Sequence, residues 1–379
     1  MKDHSLEVHG CHTYDATGAI SPSLCLSATF RHPRFGESTG YDYGRVANPT
    51  RESLEKTVAL LERGGRSWAL SSGMAAVQLV FSLLSAGDHV LMSEDLYGGT
   101  VRLAEEVFAG YGITFEYVDV RDLALVGKRM RPETKLVFIE TPSNPMMQIS
   151  DIAALSALAH ENGALLAVDN TFLSPHFQKP LTLGADIVLH SGTKYLCGHN
   201  DVIAGFLVLK DATSAEAKRI ELLAKSAGPN LSALDSWLML RSIKTLGVRV
   251  ERQAENALAI ARWLGTLPEV TEVLYPGLAD HPGYALQQKQ ASGTGGMISF
   301  KVRSAEIAKA ALGKLHLIAF AESLGGVETL LTYPIAQTHA EMPAALLKRT
   351  GLDDKLLRLS VGIEDVEDLK ADLQQALQG

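Results

Sequence analysis

The chain has 379 residues, 46% hydrophobic and 21% charged, an ordinary globular balance with room for roughly two to three domains. A net charge of −8 without any Lys/Arg run excludes the basic footprint of a nucleic-acid or anionic-membrane binder, so any phosphate it holds is small and locally held. Three scattered cysteines give no disulfide framework, the start "MKDHSLEVHGCHTYDATGAI" lacks a signal-peptide core, and no apolar run reaches the ~18 residues of a membrane span, so we expect a cytoplasmic protein.

Residues 1 to about 47 show no sustained period and too few apolar side chains to offset their own ordering. They read as an extended arm, better suited to lie on another subunit than to pack alone. From Thr50, "TRESLEKTVALLERGG" sets Leu54, Val58 and Leu61 on one helical face and stops at Gly64-Gly65. Strand-like and helical runs then alternate: "WAL", a helix over 73–85, "HVLMS", a helix over 100–110, "ITFEYVDV", "KLVFIE", a helix over 151–162, "ALLAVDN", "DIVLHS" and "GFLVL". This alternation predicts an α/β domain over 48–238 with a mostly parallel sheet covered on both faces. A long helical stretch over 235–264 follows, then "VTEVLYP", "MISFKV", a helix over 304–313, "RLSVGIED" and a final helix. These make residues 239–379 a smaller α+β domain.

In open α/β sheets, ligands sit beyond the carboxyl ends of the strands. Those ends carry Gly73 and Met74 at a helix start, Tyr97, Asn144, Asp169 with Thr171, and Ser191, Thr193 and Lys194. Helix-start amides and the two hydroxyls suit a phosphate. Tyr97 can stack on an aromatic ring. Asp169 can keep a pyridine nitrogen protonated, and Lys194 can form a Schiff base. Together they describe pyridoxal phosphate, whose ring is an electron sink. A metal reading of His190, Cys197, His199 and Asp201 has irregular spacing and neither a CxxC pair nor HExxH, so no metal is expected, and Cys197 reads as a small buried hydrophobe.

The motifs "YDYGRVANPT", "SSGMAA", "DLYGGT", "ETPSNP", "VDNTF", "HSGTKYLCGHND", "AESLGG" and "RLSVGIED" run almost the whole length of the chain. In order and spacing, the sequence resembles the Cys/Met-metabolism family of pyridoxal-phosphate enzymes, which includes cystathionine γ-synthase, cystathionine β- and γ-lyases and methionine γ-lyase. The resemblance implies a fold-type I architecture and a homotetramer of tight dimers with shared active sites. It implies that Lys194 bonds the cofactor, Asp169 meets the ring nitrogen and Asn144 lies near the ring hydroxyl. Tyr43 and Arg45 would reach the phosphate of a neighbouring subunit, and Arg358, with Ser323 nearby, would grip a substrate carboxylate.

The substrate cues divide. Gly99 stands where methionine γ-lyases carry cysteine in "LYGxT", and Glu322 is similar to γ-synthases and γ-lyases. "LLTYPIAQTHAEMP" resembles bacterial cystathionine lyases of the methionine pathway. The reading taken is a carbon–sulfur lyase that cleaves L-cystathionine by β-elimination to homocysteine, pyruvate and ammonia, with Glu322 pairing with the far amine. γ-Elimination or γ-replacement on cystathionine or an acylated homoserine stays open as the alternative, with methionine γ-lyase ranked behind it.

Overall fold

The alternating runs resolve into two sheets in the computed structural model, which describes residues 1–11 and 17–378. The first has seven strands: β1 (Arg66–Leu70), β2 (His89–Ser93), β3 (Thr114–Val118), β4 (Thr134–Glu140), β5 (Leu165–Asp169), β6 (Ile187–Ser191) and β7 (Gly205–Leu209). Their order is β1-β7-β6-β5-β4-β2-β3. β7 runs antiparallel to both its neighbours, and the remaining pairs are parallel. Strand apolarity explains the layering: Leu136 and Phe138 of β4 enter one core, Val137 and Ile139 the other. A parallel sheet buried on both faces needs such continuous apolar strands.

The second sheet has five strands: β8 (Val270–Leu274), β9 (Met297–Val302), β10 (Ala319–Phe320), β11 (Leu330–Thr332) and β12 (Leu356–Ser360), in the order β10-β11-β12-β9-β8. β10 and β11, two and three residues long, are too short to show a period in the sequence. Ile298, Phe300, Leu357 and Leu359 form its core with helices Leu246–Leu264 and Val366–Gln378.

The two sheets lie on either side of residue 238, while one helix serves both cores. Leu246 and Val250 of helix Leu246–Leu264 join the large-sheet core, and Ala257, Ile260 and Leu264 join the small-sheet core. The stretch 235–264 is thus two helices, Ala233–Ile243 and Leu246–Leu264, rather than one.

The arm also departs from a wholly extended path. Asp3–His9 is a helix whose Leu6 and Glu7 are buried against the chain itself. Farther along, Ile20, Leu26 and Phe35 are exposed. No helix among the described residues is long and apolar enough to cross a membrane.

Candidate active site

Five strand ends of the large sheet open onto one pocket. After β1, Ser72 caps helix Gly73–Phe81 by accepting the Ala75 N–H at 3.1 Å. The first amides of that helix, Gly73 and Met74, have no carbonyl a turn behind them and line the pocket as donors. Gly205 lets this turn lie flat on the sheet. It pairs with Leu70 on one side and Ser191 on the other, and a Cβ there would stand 1.9 Å from the Ser72 carbonyl oxygen. Thr171 ties the next ends together, accepting the Ser191 N–H at 2.9 Å and donating to Asp169 Oδ1 at 2.5 Å. Thr193 Oγ1 accepts the Ala204 N–H at 3.0 Å, which fixes the turn that carries Lys194.

Two carboxylates meet at the pocket floor because the β4–β5 register sets Glu140 opposite Asp169. Burial raises the pKa of both, and the Asp169 charge pushes Glu140 further above the carboxylate range. Glu140 also accepts the Tyr97 N–H at 3.0 Å, which fixes the tyrosine after β2, itself 39% exposed at the mouth.

Lys194 answers an energetic question that the sequence poses. Its amine lies at a buried strand end, and burial, followed by the nearby Arg358 charge, lowers its pKa to about 8. Its Nζ donates to Ser323 Oγ at 2.8 Å. Ser323 belongs to a loop of the small-sheet unit and sits in the left-handed region at φ 89°, a strained position for a serine. Gly325, two residues on, donates its N–H to Ser360 Oγ at 2.7 Å and so anchors the loop to β12.

Arg358 lies mid-strand in β12 and is only 2% exposed. Its Nη1 donates to Asn144 Oδ1 at 2.8 Å, and its Nη2 donates to the Ser323 carbonyl at 3.2 Å and Thr332 Oγ1 at 3.3 Å. Burial lowers its pKa to about 10, which leaves it a cation at neutral pH. Its buried Nε has no partner among the described residues. Glu322, exposed at the rim, forms no ion pair within 4.0 Å among the described residues.

The structure therefore gathers Gly73, Met74, Tyr97, Asn144, Asp169, Thr171, Ser191, Thr193, Lys194, Glu322, Ser323 and Arg358 around one cavity. Tyr43 and Arg45 are elsewhere on this chain: Arg45 donates to the Lys225 carbonyl and stands 5.7 Å from the Tyr43 ring centre. Two contributors were missed. Glu140 carries the same signal as Asp169, a carboxylate that closes an apolar run. His339, in "QTHAEMP", meets the Asn144 carbonyl with Nε2 at 3.0 Å, and burial holds its pKa near 4, so it stays neutral and donates. Of the metal candidates, His190 instead pairs with Glu62 at 2.6 Å, and Cys197, fully buried, lies 3.2 Å from Asp201.

Comparison with known proteins decides the family. The model of Cys/Met metabolism PLP-dependent enzymes matches residues 4–378. The chain belongs to this family. Cystathionine γ-lyase of Bacillus subtilis is 47% identical over 379 residues, the whole of both chains. Cystathionine β-lyase of the same organism is 46% identical over 365 residues, 96% of this chain and 93% of its own. Among solved structures, cystathionine γ-lyase from Lactobacillus plantarum complexed with L-serine matches with a TM-score of 0.96 at 43% identity, covering 99% of this chain and 98% of that one. The protein is a pyridoxal-phosphate-dependent carbon–sulfur lyase of cysteine and methionine metabolism, with the fold-type I architecture expected from its sequence.

The pocket of this lyase fits the cofactor of its family. The amides of Gly73 and Met74, beside Ser191 and Thr193, could hold a phosphate. Among the described residues the buried pair Glu140–Asp169 has no ion-pair partner within 4.0 Å, and a protonated ring nitrogen would supply one. Tyr97 stands free at the mouth to cover a ring, and the Lys194 amine is lowered toward the range in which it can act as a nucleophile.

Proposed function

We propose that this lyase cleaves the Cβ–S bond of L-cystathionine, taking up one water and releasing homocysteine, pyruvate and ammonia. Pyridoxal phosphate, when bound, supplies an electron-accepting ring for the charge left at Cα. Arg358, steered by Asn144 and Thr332, holds the substrate α-carboxylate through paired charge-assisted hydrogen bonds. Lys194 takes the Cα proton, and its lowered pKa keeps a useful fraction of the amine neutral near pH 8. Cleavage at Cβ then expels the thiolate. Glu322, at the rim beyond Ser323, meets the cationic amine at the far end of the substrate.

The observation that carries β-elimination is the 2.8 Å bond from Lys194 Nζ to Ser323 Oγ. A base held by that bond suits proton removal from Cα alone. γ-Elimination needs a second proton taken from Cβ, and therefore a more mobile amine. That reading draws support from the full-length likeness to a γ-lyase at 47% identity, against 46% for a β-lyase. Product analysis with L-cystathionine separates them. Pyruvate with homocysteine is expected; 2-oxobutyrate with cysteine would establish γ-elimination instead, and turnover only of an acylated homoserine with cysteine would mark a γ-synthase.

The exposed apolar arm supports a second part of the proposal, a homotetramer of tight dimers in which Tyr43 and Arg45 complete the phosphate site of a neighbour. Mixed oligomers of Arg45→Ala and Lys194→Ala chains should then regain activity that neither parent has. Verified hybrids that stay inactive would reject the shared site.

A further inference from the structure

Away from the pocket, the helix Asp3–His9 meets two other segments, Ser174–Phe177 and the start of Leu246–Leu264, through a cluster of imidazoles and carboxylates. The Glu7 side chain is 2% exposed and that of His176 is 7% exposed, yet both are polar. Glu7 Oε1 lies 2.6 Å from His176 Nδ1, and Glu7 Oε2 lies 3.6 Å from His4 Nδ1. The far sides of both rings face a second carboxylate: Glu251 Oε1 is 3.3 Å from His4 Nε2 and 3.4 Å from His176 Nε2. No lysine or arginine nitrogen stands within 4.0 Å of Glu7 among the described residues. A buried carboxylate is thus answered by imidazoles and by the Gly247 N–H at 3.1 Å.

We propose that His4, Glu7 and His176 form a site for a divalent transition-metal ion of the zinc class, which clamps the base of the N-terminal arm to the body of the chain. One ligand atom from each residue lies within 4.8 Å of the others. Two imidazole nitrogens and a carboxylate are a zinc-type donor set, with ligand distances of about 2.0–2.2 Å and a fourth position left for water. Tetrahedral ligands at that distance stand roughly 3.3 Å apart, so the three ligand atoms, now within 4.8 Å of one another, draw together on binding. Glu251 then acts as the outer carboxylate that orients both rings through Nε2–H.

Gly247 is part of the same construction. A Cβ at that position would stand 2.6 Å from Glu7 Oε2 and 2.7 Å from His4 Nδ1, so a larger residue would push both ligands away. Zinc takes a deprotonated carboxylate and neutral imidazoles as ligands, so its binding weakens as pH falls.

The test uses the tag-free, cofactor-loaded enzyme, freed of metal with a chelating resin and titrated calorimetrically with zinc ion alone. Wild type should take up one zinc per chain, with a rise in Tm. Glu251→Gln should weaken binding about 10- to 100-fold. His4→Ala, at a side chain 59% exposed and so safe for folding, should abolish both the binding and the Tm rise. Extended X-ray absorption of the zinc form should show two imidazoles. A wild type that takes up no zinc overturns the proposal, and so does zinc that binds His4→Ala as well as wild type. None of these readouts depends on which bond of the substrate is cleaved.

Discussion

The active-site pocket has two walls of different construction. One consists of the ends of β1, β2, β4, β5 and β6, where each chemical group follows a buried apolar strand and is tied to its neighbour by short hydrogen bonds such as Thr171 to Asp169. The other comes from the small-sheet unit, where Ser323 and Glu322 ride on a loop and Arg358 is buried in β12. The first wall has the fixed helix-start amides and hydroxyls, with Tyr97 at the mouth, that could hold a cofactor. The second has a buried cation, a strained serine and a rim carboxylate, which in the proposed function meet the substrate. Lys194 belongs to the first wall by sequence and to the second by its bond to Ser323. In the proposed function, positioning and selection are thus assigned to different parts of the chain, joined at a single amine.

Changes to the first wall should strike chemistry hardest. Lys194→Met removes the proposed base and should lower kcat by at least about 10²–10⁴-fold, measured with saturating cofactor and substrate. The same variant tests the cost of burying the amine. In the folded chain the amine titrates near pH 8 instead of 10.5, so between those values the unfolded chain binds more protons. Stability therefore rises with pH across that window, and the lysine opposes folding most fully below about pH 8. Less the lost bond to Ser323, cofactor-free Lys194→Met should be more stable than cofactor-free wild type by about 1–3 kcal/mol at pH 7, with the gain vanishing above pH 10.5. Denaturant unfolding at the two pH values measures this, and a gain that persists at high pH would contradict it.

Gly205→Ala leaves every catalytic group in place but forces the Ser72 turn off the sheet. It should cost on the order of 10²-fold in kcat and release cofactor on dialysis, since displacement by about an ångström is felt at that level. Normal activity would mean that the turn is not held as tightly as the geometry requires. The smallest effect belongs to the second wall. Glu322→Ala should lower kcat/KM for cystathionine about two- to five-fold, the worth of an exposed charge pair, and leave the turnover of cysteine unchanged. Equal losses on both substrates would place Glu322 with the first wall.

The same division governs how much the sequence reveals. Asp169, Ser191 and Lys194 follow apolar runs closely enough for their place at the sheet edge to be read directly, and the parallel sheet follows from the alternation of runs. Glu140 is equally legible as the carboxylate that ends "KLVFIE", four residues before Asn144. Arg358 gives no local signal: a charged residue inside the apolar run "LLRLS" acquires meaning only from Asn144 and Thr332, which arrive from distant segments. Ser323 likewise depends on a loop whose flanking strands, β10 and β11, are too short to leave a period. The His4–Glu7–His176 cluster is invisible for the same reason, since His176 reaches Glu7 across 169 positions of sequence.

The most direct test of the account is where the cofactor bonds. The purified yellow enzyme, reduced with borohydride, digested and mapped by mass spectrometry, should carry a pyridoxyl group on Lys194 within "HSGTKYLCGHND" and on no other lysine. A label on another lysine, or an enzyme that takes up no pyridoxal phosphate at all, would contradict the assignment of this pocket as the active site.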